Sequence, residues 1–150
     1  MKKGLIFLIF LLIAVAGFFI FGKNNFSSEN SESHIQINGK KIKVGVSKTE
    51  TEREAGLSRR ENLCGECGML FIFEQAKNYP FWMKEMRFNL DMLWISGNRV
   101  VKIVKNIPHE KGTGEVVNPQ VLADKVLEIN AGKSDEWGIR EGDEIVLNLQ

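Results

Sequence analysis

The stretch Ile35-Gln36-Ile37-Asn38-Gly39-Lys40-Lys41-Ile42-Lys43-Val44-Gly45-Val46 decides the fold class. Ile35 and Ile37 lead into Asn38-Gly39, and Ile42, Val44 and Val46 then alternate with Lys41, Lys43 and Gly45. A period of two is the signature of half-buried strands. Asn-Gly between two such runs is a strong hairpin signal, because both residues tolerate positive φ. Further strands are expected at residues 68–73, 81–83, 90–95, 99–107, 125–129 and 144–149, with Gly, Asn or Pro in most of the gaps. Ser96-Gly97-Asn98 reads as a tight turn. Ser47 and Glu50 have capping-box spacing and open a charged helical stretch over 49–57; a second helical turn is expected at 134–137. Many short strands with little helical pattern predict a mainly β fold, a compact antiparallel sandwich or barrel with one or two short helices.

The chain of 150 residues fits one globular domain, residues 34–150, plus an N-terminal appendage. From Leu5 to Phe21 every residue is apolar or Gly, so a helix over residues 4–22 would nearly match the hydrocarbon core of a bilayer. Lys2 and Lys3 precede this run and Lys23 alone follows it, which places the N-terminus in the cytoplasm and the domain outside, a single-pass arrangement. Ala14-Val15-Ala16 offers the alternative of signal cleavage and secretion, although the residues that follow stay apolar through Phe21. Residues 23–33, rich in Asn, Ser and Glu, read as a flexible polar tether. Lys2, Lys3 and Lys23 account for three of the 20 Lys and Arg, leaving 17 bases against 19 acids. That balance, without a dense basic cluster, argues against nucleic acid as a partner.

Thr51-Glu52-Arg53-Glu54-Ala55-Gly56-Leu57 with Arg59, Gly68-Met69-Leu70-Phe71-Ile72-Phe73, Phe81-Trp82-Met83-Lys84 and Leu90-Asp91-Met92-Leu93-Trp94-Ile95 occur in that order. Val126 to Gly132 and Gly138 to Asp143 follow them. The set resembles the domain-of-unknown-function 192 family of small prokaryotic proteins over about residues 35–149. The resemblance implies a compact, mainly β fold, often secreted or attached to the envelope, and no established activity. Members commonly carry Asn and then Thr after the Phe-Trp-Met-Lys stretch, where this chain has Glu85-Met86-Arg87.

Cys64-Gly65-Glu66-Cys67 is the sharpest chemical motif. Such a pair can close a disulfide, exchange disulfides, or supply half of a zinc site. No helix is expected after it to activate a thiolate. The other metal donors in reach of a proposal are His34 and His109, in segments without metal-site spacing, so a Cys64, Cys67 and His109 site is the weakest reading. An even cysteine count outside the membrane favours a loop disulfide.

Asp91 falls on the strand face of Leu93 and Ile95, where a carboxylate must be paired or hydrogen-bonded. Two roles stay open for it: a structural acceptor of backbone N–H groups or partner of Lys84 or Arg87, and a ligand or acid/base group at the sheet mouth. Phe71, Phe81, Trp82 and Trp94 lie in apolar runs, which predicts core packing, with stacking on a sugar or lipid head group as the alternative. Trp137, in a polar stretch, is the aromatic expected to be partly exposed. Met69, Met83, Met86 and Met92 could serve Cu(I) or fill core gaps, and Arg53, Arg59 and Arg60 could cradle an anion or remain solvated. The candidate ligand set is Asp91, Trp82, Lys84 and Arg59. No Ser-His-Asp order, phosphate loop, His-Glu-x-x-His helix or cofactor motif is present, so no cofactor is expected. The reading is a membrane-tethered domain that binds an envelope component, a glycan, lipid or protein, without catalysis; the alternative is a thiol enzyme or metal-binding protein using Cys64 and Cys67.

Overall fold

The computed structural model describes residues 32–110 and 116–150. The expected membrane segment and the tether up to residue 31 lie outside the described residues. Among the described residues no helix is long and apolar enough to cross a membrane. Glu32 and Ser33, expected in the tether, are bound to the domain: Glu32 pairs with Lys43, and the Ser33 carbonyl accepts from the Val44 N–H at 2.9 Å.

The expected hairpin forms from β1 (His34–Ile37) and β2 (Lys40–Ser47), with Ile37 opposite Lys40 and both loop residues at positive φ, 51° at Asn38 and 74° at Gly39. A short helix α1 (Glu50–Ala55) follows, and then β3 (Cys67–Lys77), β4 (Phe81–Trp82), β5 (Leu90–Ser96), β6 (Arg99–Ile107), β7 (Val116–Val117) and β8 (Ala123–Asn130). Helix α2 (Lys133–Glu136) and β9 (Ile145–Asn148) end the fold. The helix cap is two residues later than the spacing of Ser47 and Glu50 predicts. Thr49 accepts from the Glu52 N–H while the Glu52 carboxylate accepts from Thr49 and Lys48, which holds the Glu52 carboxyl below its ordinary range. Ser47 is instead buried at the end of β2.

The fold is mainly β with two short helices, as expected, and the sheet corrects the expected antiparallel sandwich or barrel. Seven strands form one sheet in the order β6-β5-β8-β3-β2-β1-β9, in which β2 and β3 run parallel. Parallel neighbours need a crossover, and residues 48–66 with α1 supply it. The sheet rolls into a half-barrel. Its two outer strands meet at one end, where Arg99 bridges to Glu144 and the Ile145 N–H donates to the Asn98 carbonyl at 2.8 Å.

The central strands β3, β8 and β5 are buried on both faces. Leu70, Leu93, Ile95, Leu127 and Ile129 point inward to meet Ile35, Ile42 and Ile145. Met69, Phe71, Met92, Trp94 and Val126 point outward, where Leu57, Met83, Met86 and Ile107 cover them. Strands covered on both sides lose the period-two pattern and read as continuous apolar runs. Gly68 is required at the tightest crossing: a Cβ there would stand 2.9 Å from the Glu128 carbonyl oxygen and 2.9 Å from Leu127 Cδ1.

Asp91 is fully buried on the inward face. Its Oδ2 accepts from the Ser134 N–H at 2.9 Å and the Ser134 hydroxyl at 2.6 Å, and its Oδ1 accepts from the Asn106 N–H at 2.8 Å. One carboxylate therefore holds α2 and the end of β6 against β5. Removing it strands the buried Ser134 N–H and hydroxyl, each costing about 1–3 kcal/mol, and frees the Asn106 N–H as well. Asp91→Ala should lose at least about 3 kcal/mol of unfolding free energy, measured as a fall in the urea midpoint at constant slope.

Candidate functional site

Strand β4 stands apart from the main sheet. It pairs only with β7, Phe81 opposite Val117 and Trp82 opposite Val116. Alternation along so short a strand sends the two aromatics opposite ways. Phe81 packs inward, edge-on to Phe71 at 5.0 Å and Trp94 at 6.1 Å. Trp82 faces outward and is 52% exposed. This overturns the expectation that all four aromatics pack in the core; Phe71 and Trp94 do, because they lie on strands covered on both faces. Trp137, on α2's last turn, is half-buried, with Lys40 and Lys133 over its ring.

Trp82 borders a small apolar hollow of about 340 Å³, shared with Pro80, Phe81 and Val116, and two larger clefts. One, of about 590 Å³, runs between α1 and the end of β3, bordered by Glu50, Arg53, Glu74, Gln75 and Tyr79. The other, of about 520 Å³, lies on the side of Ser58, Arg59, Lys84 and Glu85, and Glu54 borders both. Both volumes fall within the roughly 300–1,000 Å³ of small-molecule sites.

The walls are held rigidly. Residues 73–76 of β3 bulge away from β8, since Ile72 pairs with Lys125 and the next pair is Lys77 with Ala123. That bulge lets Phe73 stack on Tyr79 with centroids 3.7 Å apart, while the Tyr79 hydroxyl donates to the Gln75 carbonyl at 2.8 Å. The Arg53 guanidinium lies 5.1 Å above Phe73 and donates to the Ile72 and Lys48 carbonyls. The Trp94 indole N–H donates to the Tyr79 carbonyl at 2.8 Å, tying the wall to the core.

Across the second cleft Arg59 grips Glu85 with two bonds, 2.6 and 3.2 Å, and the Arg59 N–H donates to the Glu85 carbonyl at 2.9 Å. The Arg59 guanidinium keeps the Glu85 carboxyl below its ordinary range. Both residues have left-handed backbone, φ 64° and 56°. Such conformations in non-glycine residues are strained and concentrate where function over-determines them. The Lys84 ammonium lies 5.1 Å from the Trp82 ring centroid.

Of the four residues expected to bind ligand, the structure brings together Trp82, Lys84 and Arg59. Asp91 belongs to the inward face and to none of these clefts. Cys64 and Cys67 are joined in a disulfide with Cα atoms 5.1 Å apart at the start of β3, and no helix follows them. Sulfurs bonded to each other supply no thiolate to a metal. His109 sits beside Asn89, its Nδ1 2.8 Å from the Asn89 Oδ1. Among the described residues no three His, Cys, Asp or Glu side chains cluster as metal ligands. The methionines Met69, Met83, Met86 and Met92 fill the outward core.

Glu128 is the polar residue that sequence reasoning missed. It is only 4% exposed on the outward face of β8, between Met69 of β3 and Met92 of β5 in register. Desolvation pushes its carboxyl up to about 8. Its signal was an acid on the Val126 face within the apolar run Val126–Ile129. The folded state thus holds a proton that the unfolded chain releases above the ordinary carboxylate range, so stability is full below about 4.5, falls as pH rises, and levels off above about 8. Glu128→Gln should flatten this fall and raise the thermal midpoint at pH 9 by about 4 °C or more. The disulfide makes a separate contribution. Closing so short a loop restricts the unfolded chain by about 2 kcal/mol, and Cys64→Ser with Cys67→Ser should lower the urea midpoint accordingly.

The family model described as DUF192, Uncharacterized ACR, matches residues 33–147. A crystal structure from Sinorhizobium meliloti 1021, of a protein described as a candidate transcription regulator, is similar to the chain: TM-score 0.71, 27% identity, covering 78% of this chain and 94% of that one. A protein of unknown function from Novosphingobium aromaticivorans DSM 12444 is similar with TM-score 0.69 and 26% identity, covering 75% of this chain and 83% of that one. No curated protein matches the chain.

Proposed function

This chain belongs to the DUF192 family, and for this member we propose a binding role without catalysis, in which an envelope component is held at the groove around Trp82. The observation that carries the reading is Trp82 itself, a large apolar ring left more than half exposed between two clefts whose walls are locked. An exposed aromatic on a rigid support gives contact area at low entropic cost, which is what a binding site needs. In this reading the domain stands outside the cytoplasm, anchored through residues 4–22 or released after cleavage. The apolar run, the lysines before it and the disulfide all support that side of the membrane. The Cys64–Cys67 bond is then a staple. It steadies the loop whose Leu63 and Cys64 carbonyls accept from the Asn130 side chain at 3.0 and 3.1 Å. The regulator description belongs to the similar protein from Sinorhizobium, and the charge balance of this chain gives it no support here.

The test is co-sedimentation of the full-length protein, held in detergent, with bacterial envelope fragments. Trp82→Ala should bind at least tenfold more weakly, a loss of about 1.4 kcal/mol, with an unchanged thermal midpoint. Equal sedimentation of variant and wild type would rule the groove out.

A further inference from the structure

We infer that the ligand of this groove is a linear glycan of neutral or amino-bearing pyranose units, lying across Trp82 and extending into both clefts. The inference rests on the groove assignment above and adds the chemistry of the occupant.

The surroundings of Trp82 alternate ring faces with hydrogen-bonding side chains. Gln75, Glu74 and Lys77 line the first cleft beside the Tyr79 ring, and Lys84 and Glu54 line the second. A pyranose has the matching character, with C–H groups on its faces to stack on an indole and hydroxyls around its rim to meet polar side chains. An acyl chain would need a continuous apolar trough; the two clefts are lined largely by polar side chains, and the apolar hollow of about 340 Å³ beside Trp82 is formed by four residues alone, Pro80, Phe81, Trp82 and Val116. A peptide adding to a strand edge draws its affinity from successive main-chain hydrogen bonds, and β4 offers only two residues. Two clefts that meet at Trp82 and Glu54 call for an occupant longer than a single ring.

Charge narrows the class. Glu50, Glu54 and Glu74 are exposed and form no ion pair among the described residues. The two guanidiniums are already engaged, Arg53 by two carbonyls and the Phe73 ring, Arg59 by Glu85. Lys77 and Lys84 remain, one beside each cleft. A polyanion, whether a uronate chain or a row of phosphate head groups, would find no excess of positive charge there, since Glu50, Glu54 and Glu74 stand against Arg53, Lys77 and Lys84 while Arg59 and Glu85 offset each other. A neutral chain meets donors and acceptors of both kinds, and an amino sugar gains a carboxylate partner. Glu54, which borders both clefts, is the residue placed to recognise such an amine.

The test titrates the full-length protein in detergent, followed by tryptophan emission and calorimetry, with four probes. They are β-1,4-linked N-acetylglucosamine as disaccharide and hexasaccharide, the de-N-acetylated hexasaccharide, and an oligoglucuronate of equal length. Phosphatidylglycerol vesicles serve as the lipid comparison. The hexasaccharides should bind, at least about tenfold more tightly than the disaccharide, and Trp82→Ala should lose at least about tenfold while Trp82→Phe recovers part of it. Glu54→Gln should weaken the amino form and spare the acetylated one. Oligoglucuronate should not bind. Trp82-dependent binding of oligoglucuronate or vesicles in place of the neutral and amino glycans would overturn the glycan inference and leave the groove assignment standing. Absence of Trp82-dependent binding to any of these probes and to envelope fragments would overturn both.

Discussion

The Asp91 carboxylate is the interaction on which the rest of the structure depends. A half-barrel has two sheet edges that do not fully meet, and the gap must be filled without leaving backbone groups unpaired in the interior. Here α2 fills it. The helix is only four residues long and cannot sustain itself, so its position comes from outside, through the bonds that Ser134 makes to Asp91. The same carboxylate fixes the end of β6 through Asn106. With both elements in place, the segment after α2 leads the chain to β9, and the inward side chains of the seven strands are sealed from water.

Sealing the inward face leaves the outward face of β3, β8 and β5 to be covered by other means. The cover is assembled from the crossover loop, the segment after β4 and the small β4–β7 ribbon, whose inward side chains are Leu57, Met83, Met86 and Phe81. A ribbon of two-residue strands has one side against the core and the other free. Trp82 is on the free side because Phe81 is needed on the other. The exposed aromatic thus follows from the way the second core is roofed, and the pairing of Arg59 with Glu85 joins two of the roofing segments beside it.

Much of the fold was legible. The hairpin at Asn38-Gly39, the positions of eight of the nine strands and the inward face of Asp91 all follow from alternation and turn chemistry, which are local properties. The parallel pairing of β2 with β3 is not local. It depends on the path of a crossover that contains only a single short helix, and the short-strand pattern suits an antiparallel sandwich equally well. Strand β7, Val116–Val117, is not among the expected strands, because two residues are too few to show a period. The groove was legible in part: Trp82, Lys84 and Arg59 carried a signal as residue types, yet Arg59 and Lys84 are far apart in sequence and meet only through the loop pairing. Tyr79 and Phe73 gave none, since their stacking arises from a bulge. Glu128 was hidden by its place inside a strand, where an acid ordinarily marks the solvent side.

The first strand of the domain pairs with the last, His34 opposite Asn148, and the Gln150 N–H reaches back to the Ser33 hydroxyl at 3.1 Å. During synthesis, β1 and β2 leave the ribosome early, and their hairpin presents one edge that only β9 can occupy. That edge stays open until residues 145–148 have been made, after the other six strands of the sheet. Completion of the sheet therefore waits for its last strand, and a domain cut short before residue 145 would keep β1 with an unpaired edge.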